Sequence, residues 1–441
     1  MKNYKLSRYN VFFTRDFRMY LWNTLTGALL TLDEADVSYL GTFNGMDDGS
    51  VTFNTLKDHG CIVDARYDEL GKVLYDEKSV MLNPHPMALH YTLAPGLDCN
   101  YNCPYCFEKG RTSRKVMGQE MQDKVCRFII RTADKCCDLQ QIGITWFGGE
   151  PLLHMDAIER ISKQLMEYCE QRHIKYSAGI VTNGRFLTQD NASLLKQLNV
   201  EYVQMAVDGM GKAYAKAKGT SNDSFDKVVE NIVSSADILP ITVRINVTDT
   251  IDEAVLLTDY LLREKQLDGK IKTYIAHVRD YSDHNMLRER LSHEHFLQLE
   301  KEYMDFFSDS GGLYSPASLF YSKPKRRCTT CLSVCDTNYC IGSEGELYRC
   351  EHMFGNSAGI VGTIDAGRFY SENELAYIKH LHPKKCEECQ LLPVCMGGCI
   401  NDNLSEEVAL SCEKFKERLI DYLLLDDSPA EDKIRERRIT T

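Results

Sequence analysis

The chain has 441 residues, 43% of them hydrophobic and 26% charged, and a net charge of −12, the balance of a globular protein with room for about two to four domains. The acidic total argues against nucleic acid as the main partner, because phosphate binding needs a basic surface, although Lys323 to Arg327 is a local basic run. No apolar run approaches the roughly 18 residues of a membrane-spanning helix, and the start MKNYKLSRYN lacks the apolar centre of a signal peptide, so a cytoplasmic protein without a membrane partner is expected.

In chain order, YNVFF, RMYLW and ALLTL read as three short strands, followed by a helix beginning near Asp33 and a second near Asn54. Residues 1–82 are therefore expected to form a small winged-helix-like module. NPHP, residues 83 to 86, denies helix through its two prolines and marks a linker. Six strand-like runs follow: Ala88–Leu93, Ile142–Phe147, Ser177–Thr182, Tyr202–Val207, Ile241–Val247 and Ile271–Val278. Amphipathic stretches such as Met117–Ala133 and Asp156–Arg172 lie between them. The alternation predicts an α/β fold with a parallel sheet, open or curled into a partial barrel, with its chemistry at the carboxyl ends of the strands. A helical bridge is expected over 286–327, and the mixed-charge tail 426–441 is expected to be solvated.

Eighteen cysteines in a reduced compartment point to metal ligation rather than to a disulfide framework. Cys99, Cys103 and Cys106 follow the first strand of the six, and ten more lie from Cys328 to Cys412. A structural zinc site closes with four ligands, whereas C-x3-C-x2-C supplies three on one loop. Thiolates are the soft ligands of iron-sulfur clusters, and a cubane held by three cysteines keeps one iron open.

This motif in this place resembles the signature of the radical S-adenosylmethionine (SAM) enzymes. The resemblance implies a partial (β/α)6 TIM barrel over 83–285 and a 4Fe-4S cluster on Cys99, Cys103 and Cys106. The open iron would bind SAM, whose reductive cleavage gives a 5'-deoxyadenosyl radical. WFGGEP at 146 to 151 matches the family's second-strand motif and implies that Gly148, Gly149 and Glu150 meet the methionine amino group. VTNG at 181 to 184 puts Asn183 near SAM, and MAVDG at 205 to 209 does so for Asp208, with Ala206 where a ribose-binding Ser is common. Lys218 stands where relatives have an Arg toward the SAM carboxylate; a lysine keeps the charge without the bidentate fork. Arg244 and Asn246 of VRINV are further SAM contacts by the same resemblance.

The second cysteine group, Cys335-x9-Gly345-x4-Cys350, Cys386-x2-Cys389-x5-Cys395-x3-Cys399 and Cys412, resembles a SPASM domain, here 328–425. Zinc competes for Cys386 to Cys399, but a ribbon would leave Cys335, Cys350 and Cys412 unemployed. By resemblance Cys386, Cys389, Cys395 and Cys412 hold one auxiliary 4Fe-4S cluster, and Cys335, Cys350 and Cys399 hold another, completed by Cys328 or Cys331. Cys340 is left free. Glu351, beside Cys350, is a candidate base.

The whole order looks like enzymes that mature ribosomally made peptides, the amino-terminal module binding the leader as an added strand. The expected reaction is hydrogen abstraction from a precursor peptide that closes a thioether or carbon-carbon crosslink, with flavodoxin or ferredoxin as electron donor. Formylglycine formation on a sulfatase and a non-catalytic iron-sulfur electron-transfer or binding protein are the alternatives.

Overall fold

The structure is a computed structural model that describes residues 3–108, 110–111, 115–278, 291–379, 382–400 and 412–425. The 426–441 tail and the expected core boundary at 285 lie outside the described residues.

The chain begins with β1 (Tyr4–Leu6), then a meander of β2 (Asn10–Arg15), β3 (Arg18–Asn23) and β4 (Leu29–Leu32), then α1 (Glu34–Thr42), α2 (Val51–Asp58), β5 (Ile62–Asp64) and α3 (Glu69–Met81). Helix α1 starts where it does because Asp33 accepts from the Asp36 N–H while the Asp36 carboxylate accepts from that of Asp33, a reciprocal cap. Ser50 caps α2 by accepting from the Phe53 N–H. Strands β1 and β5 pair antiparallel and close the module, although neither is long enough to show a pattern in sequence.

The meander is apolar on both faces. Leu21, Leu30 and Leu32 rest on Phe53 and Leu56, whereas Val11 and Trp22 are buried against Leu391, Val394 and Leu419 of the cysteine-rich region. Met81 at the end of α3 joins Val334, Cys335 and Tyr377. Residues 83 to 86 therefore do not set the module apart, as two prolines suggested. Its second apolar face needs a partner to leave water, and the cysteine-rich region supplies it.

Strands β6 (Ala88–Leu93), β7 (Gln141–Trp146), β8 (Lys175–Thr182), β9 (Val200–Ala206), β10 (Ile241–Val247) and β11 (Ile271–His277) pair parallel in chain order. Helices α4 (Gln119–Ala133), α5 (Met155–Arg172), α6 (Gln189–Gln197), α7 (Gly211–Lys218), α8 (Ser224–Ser235) and α9 (Asp252–Asp259) connect them. Alternate side chains divide the work. Leu89, Tyr91, Leu93, Ile142, Ile144 and Trp146 lie in the core under the helices, while His90, Thr92 and Thr145 between them line a cavity.

The sheet is open. Strand β11 forms one edge, and β6, instead of meeting β11 to close a barrel, is joined in parallel by β12 (Tyr339–Ile341). Antiparallel β13 (Glu346–Tyr348), β14 (Gly362–Thr363) and β15 (Gly367–Arg368) continue it to ten strands. The cysteine-rich region is thus hydrogen-bonded into the core. Helix α10 (His293–Ser308) falls in the expected bridge, and its buried Glu300 pairs with Arg418 of the helix Cys412–Leu424. No described helix is long and apolar enough to cross a membrane.

Candidate active site

The loop after β6 carries Cys99, Cys103 and Cys106, and all three line one cavity of about 1010 Å³ at the carboxyl ends of the strands. Burial pushes the Cys106 thiol up to about 12 and raises that of Cys103. Burial also pushes the Cys99 thiol up to about 11, against which the Tyr101 backbone N–H, 3.4 Å from its sulfur, pulls it down; the Asn183 amide nitrogen lies 3.8 Å from the same sulfur. Soft thiols on one loop with N–H donors aimed at a sulfur suit an iron-sulfur cluster. Buried His154 holds the loop from behind, its Nε2 2.8 Å from Asp98 Oδ1.

The turn after β7 fits flush against this loop. The Gly149 N–H donates to the Gly96 carbonyl at 3.3 Å and the Glu150 N–H to the Asp98 carbonyl at 3.0 Å. Gly148 has φ +117, and a Cβ there would stand 2.4 Å from the Gly96 oxygen. Both glycines border the cavity.

Glu150 does not. The sequence suggests a carboxylate facing a ligand; the structure turns it inward, fully buried. It accepts from the Leu152 N–H at 3.0 Å, the Thr182 hydroxyl at 2.6 Å and the Asn183 N–H at 2.8 Å. Burial raises its carboxyl to about 7 although these three donors pull it down. Glu150 is a clamp between the ends of β7 and β8, and the cavity meets the glycines instead. In Glu150→Gln one oxygen still accepts from Leu152 and Thr182, but an NH2 faces the Asn183 N–H. The expected loss is about 1–3 kcal/mol of stability, read by denaturant unfolding.

Asp208 also turns away from the cavity. Its carboxylate accepts from the Asn246 backbone N–H at 2.9 Å and side-chain amide at 3.1 Å, pairs with Lys218 at 2.8 Å, and accepts from the Tyr105 hydroxyl. Lys218, 2% exposed, also donates to Tyr105 at 2.8 Å. Its charge is already answered, because a buried ammonium needs a buried partner. Arg244 donates to Asn246 at 3.0 Å, and both border the cavity with Asn183. Tyr105, missed in the sequence reading, joins this network to the cysteine loop; its place between Cys103 and Cys106 was the only signal.

The cavity extends to the cysteine-rich region, where Cys331, Cys340, Arg349 and Glu351 form its wall. Glu351 is half-buried in a short turn, Glu351–Met353, directly after Cys350. The Phe107 ring lies 4.8 Å from that of His352, and Arg111 donates to the Phe354 carbonyl at 2.9 Å, so the cysteine loop leans on this turn. Cys340, expected free, sits in β12 opposite Thr92 and faces the same cavity.

Among the carboxyl-terminal thiols, two sets lie near one another. Burial and then the charges of Glu351, Cys331 and Cys399 raise the Cys350 thiol, while burial and Cys331 raise Cys335 to about 11. Burial followed by Cys386, Cys389 and Cys412 acts on Cys395 in the same way. Cys328 is exposed and does not border the cavity. Buried Arg349 braces the first group, donating to the Cys335 carbonyl at 2.8 Å and to Glu374 at 2.7 Å.

Residues 93–257 match the Radical SAM superfamily. The chain is 31% identical over 157 residues to the radical SAM cyclopropyl synthase TigE of Paramaledivibacter caminithermalis, covering 32% of this chain and 30% of TigE. It is 26% identical over 148 residues to a probable GTP 3',8-cyclase of Saccharolobus islandicus, covering 34% and 44%. The chain thus spans less than half the length of these curated relatives. Its fold is similar to that of anSMEcpe with bound AdoMet and Cp18Cys peptide, with TM-score 0.58 and 18% identity over 76% of this chain and 96% of that one. It is also similar to Streptococcus suis SuiB bound to precursor peptide SuiA, with TM-score 0.53 and 16% identity over 92% and 97%. The cysteine loop and the glycine turn thus lie within residues 93–257, the part of the chain that matches the Radical SAM superfamily.

Proposed function

We propose that this enzyme is a radical SAM peptide maturase that installs a thioether or carbon-carbon crosslink in a ribosomally made precursor peptide. The observation that carries the reading is the single cavity of about 1010 Å³ running from Cys99, Cys103 and Cys106 to Glu351 and Cys331, room for a cofactor and a peptide side chain together. Both solved neighbours are described with bound peptides, which supports a peptide partner. With a 4Fe-4S cluster on the three-cysteine loop and SAM bound, the site would supply a 5'-deoxyadenosyl radical. Gly148, Gly149, Asn183, Lys218, Arg244 and Asn246 border the space for SAM, with Glu150 and Asp208 as the buried frame that keeps them there.

We assign Cys331, Cys335, Cys350 and Cys399 to one auxiliary cluster and Cys386, Cys389, Cys395 and Cys412 to the other. Cys331 is preferred over Cys328 because it stands on the cavity wall and Cys328 does not. The domain reading is a leader module over 1–82, a core over 83–285, a bridge over 286–327 and the auxiliary region over 328–425. An external flavodoxin or ferredoxin would supply electrons.

Closing a crosslink removes two hydrogens from the peptide. One leaves as an atom to the radical. The other leaves as a proton, for which Glu351 on the cavity wall is the acceptor, and as an electron, for which an auxiliary iron-sulfur cluster held by the carboxyl-terminal cysteines would be the acceptor. Glu351→Gln is expected to lower crosslink formation at least about tenfold while 5'-deoxyadenosine is still made. Equal product rates across the pH range would assign the base elsewhere.

The decisive experiment is anaerobic incubation of the reconstituted enzyme with SAM, reductant and a candidate precursor peptide, read by mass spectrometry. Loss of two hydrogens with a fragment-resistant link supports the proposal. A formylglycine on a sulfatase peptide, or no SAM cleavage with any substrate, would replace it with one of the alternatives.

A further inference from the structure

Of residues 323 to 327, four are cationic and the fifth is Pro324, in a chain whose net charge is −12. The run has no regular structure and is held at both ends as a strap. On one side the Phe320 N–H donates to the Thr273 carbonyl of the edge strand β11 at 3.0 Å; on the other the Arg327 N–H donates to the Pro393 carbonyl of the cysteine-rich region at 2.8 Å. Pro324 keeps the strap out of helix and sheet alike. Its cations divide. Arg326 pairs with Asp76 of α3, whereas Arg327 borders the cavity that contains Cys99, Cys103 and Cys106. Lys325 and Arg327 are exposed, and neither charge has a partner among the described residues.

The cavity is short of carboxylates. Five lysines and arginines border it, Lys218, Arg244, Arg327, Arg349 and Arg418, against Glu300 and Glu351. Three of the five are answered at close range, Lys218 by Asp208, Arg349 by Glu374 and Arg418 by Glu300. Arg244 donates to the Asn246 side chain and borders the space for SAM. Arg327 is the cation that the site described above does not use. Tyr321 of the stretch before the strap and Tyr422 of the helix Cys412–Leu424 lie 5.5 Å apart and border the same cavity, as do Phe320 and Phe415. Rings of low polarity around a cation strengthen its pull on an anion.

We propose that this strap is a recognition site for an acidic segment of the peptide substrate, with Arg327 taking a side-chain carboxylate at the cavity. The inference rests on the reading of the substrate as a peptide. A guanidinium offers a carboxylate two parallel N–H donors, a geometry that selects as well as attracts. A folded electron donor would meet the outside of the strap at Lys325; Arg327 and the rings border the cavity, which an extended chain can enter. An acidic protein would otherwise repel an acidic peptide, and the local reversal of sign at the cavity removes that barrier.

The test uses the full chain reconstituted anaerobically with iron and sulfide, without SAM or reductant, so that binding is read apart from turnover. The probes are a rhodamine-labelled peptide Gly-Asp-Glu-Phe-Gly-Asp-Glu-Gly and its amide counterpart Gly-Asn-Gln-Phe-Gly-Asn-Gln-Gly, followed by fluorescence anisotropy. The acidic probe is expected to bind at least about tenfold tighter, an advantage that falls as salt is raised. Arg327→Gln is expected to remove most of that advantage, and Arg327→Lys to keep part of it, because the charge remains without the fork. Lys163→Gln, at a cation paired with Glu159 on α5 away from the cavity, is expected to leave it intact. Equal affinity for the two probes, or an acidic-probe affinity unchanged in Arg327→Gln with full iron content, overturns the assignment. Loss of iron in Arg327→Gln would give the guanidinium to the cysteine-rich site, and slower reduction by flavodoxin with unchanged peptide affinity would make the strap a dock for a folded donor; either ends the proposal. A failed crosslinking assay is a separate result. If no peptide is modified while the acidic probe still binds through Arg327, the maturase reading falls and the recognition site stands.

Discussion

Replacing Cys99, Cys103 and Cys106 together by alanine is expected to abolish 5'-deoxyadenosine formation and to lower the iron content by about four atoms of about twelve. The three thiols lie on one loop bordering the cavity, and Cys331 on its far wall lies with Cys350 in a separate part of the chain. Removing the loop ligands therefore leaves the second group's surroundings in place. Iron analysis together with chromatographic assay of 5'-deoxyadenosine checks both halves. Retained SAM cleavage would remove the loop from the chemistry, and an iron content of about four with stoichiometric zinc in the unmodified protein would assign the carboxyl-terminal thiols to zinc.

Gly149→Ala is expected to lower SAM cleavage at least about a hundredfold, by displacing the cysteine loop rather than by removing any functional group. A Cβ at residue 149 would stand 2.2 Å from the Asp98 oxygen and 2.6 Å from that of Leu97. Both are backbone atoms of the segment that leads into Cys99, so no side chain can rotate away. The Gly149 N–H and the Glu150 N–H hold the same segment through Gly96 and Asp98, so the loop cannot retreat without breaking them. Iron content and SAM binding measured beside activity check this, since displacement should weaken all three. An alanine variant with unchanged SAM affinity would show that the turn adapts.

The six core strands were legible within a residue or two because each is an apolar run between polar turns, and a strand buried under helices has to be apolar on that face. The start of α1 was legible because Asp33 is a local cap. The three-cysteine loop was legible because its ligands are neighbours in sequence. What lies within a few residues was thus determined by sequence alone. The parallel pairing of β12 with β6 joins Tyr339 to Tyr91, and no local pattern reports a hydrogen bond between segments so far apart. Spacing could not choose between Cys328 and Cys331, because both precede Cys335 closely; the fold sets Cys331 and not Cys328 on the cavity wall, which is the ground for our proposal of Cys331. Nor could the motif around Glu150 tell a ligand-facing carboxylate from a clamp. That depended on Thr182 and Asn183 arriving from the neighbouring strand with donors that only the assembled sheet brings within reach. The strands of the amino-terminal meander were legible, but not that both of its faces are covered. Burial is decided by which surfaces meet in three dimensions, and here Trp22 meets the segment that carries Cys389 and Cys395.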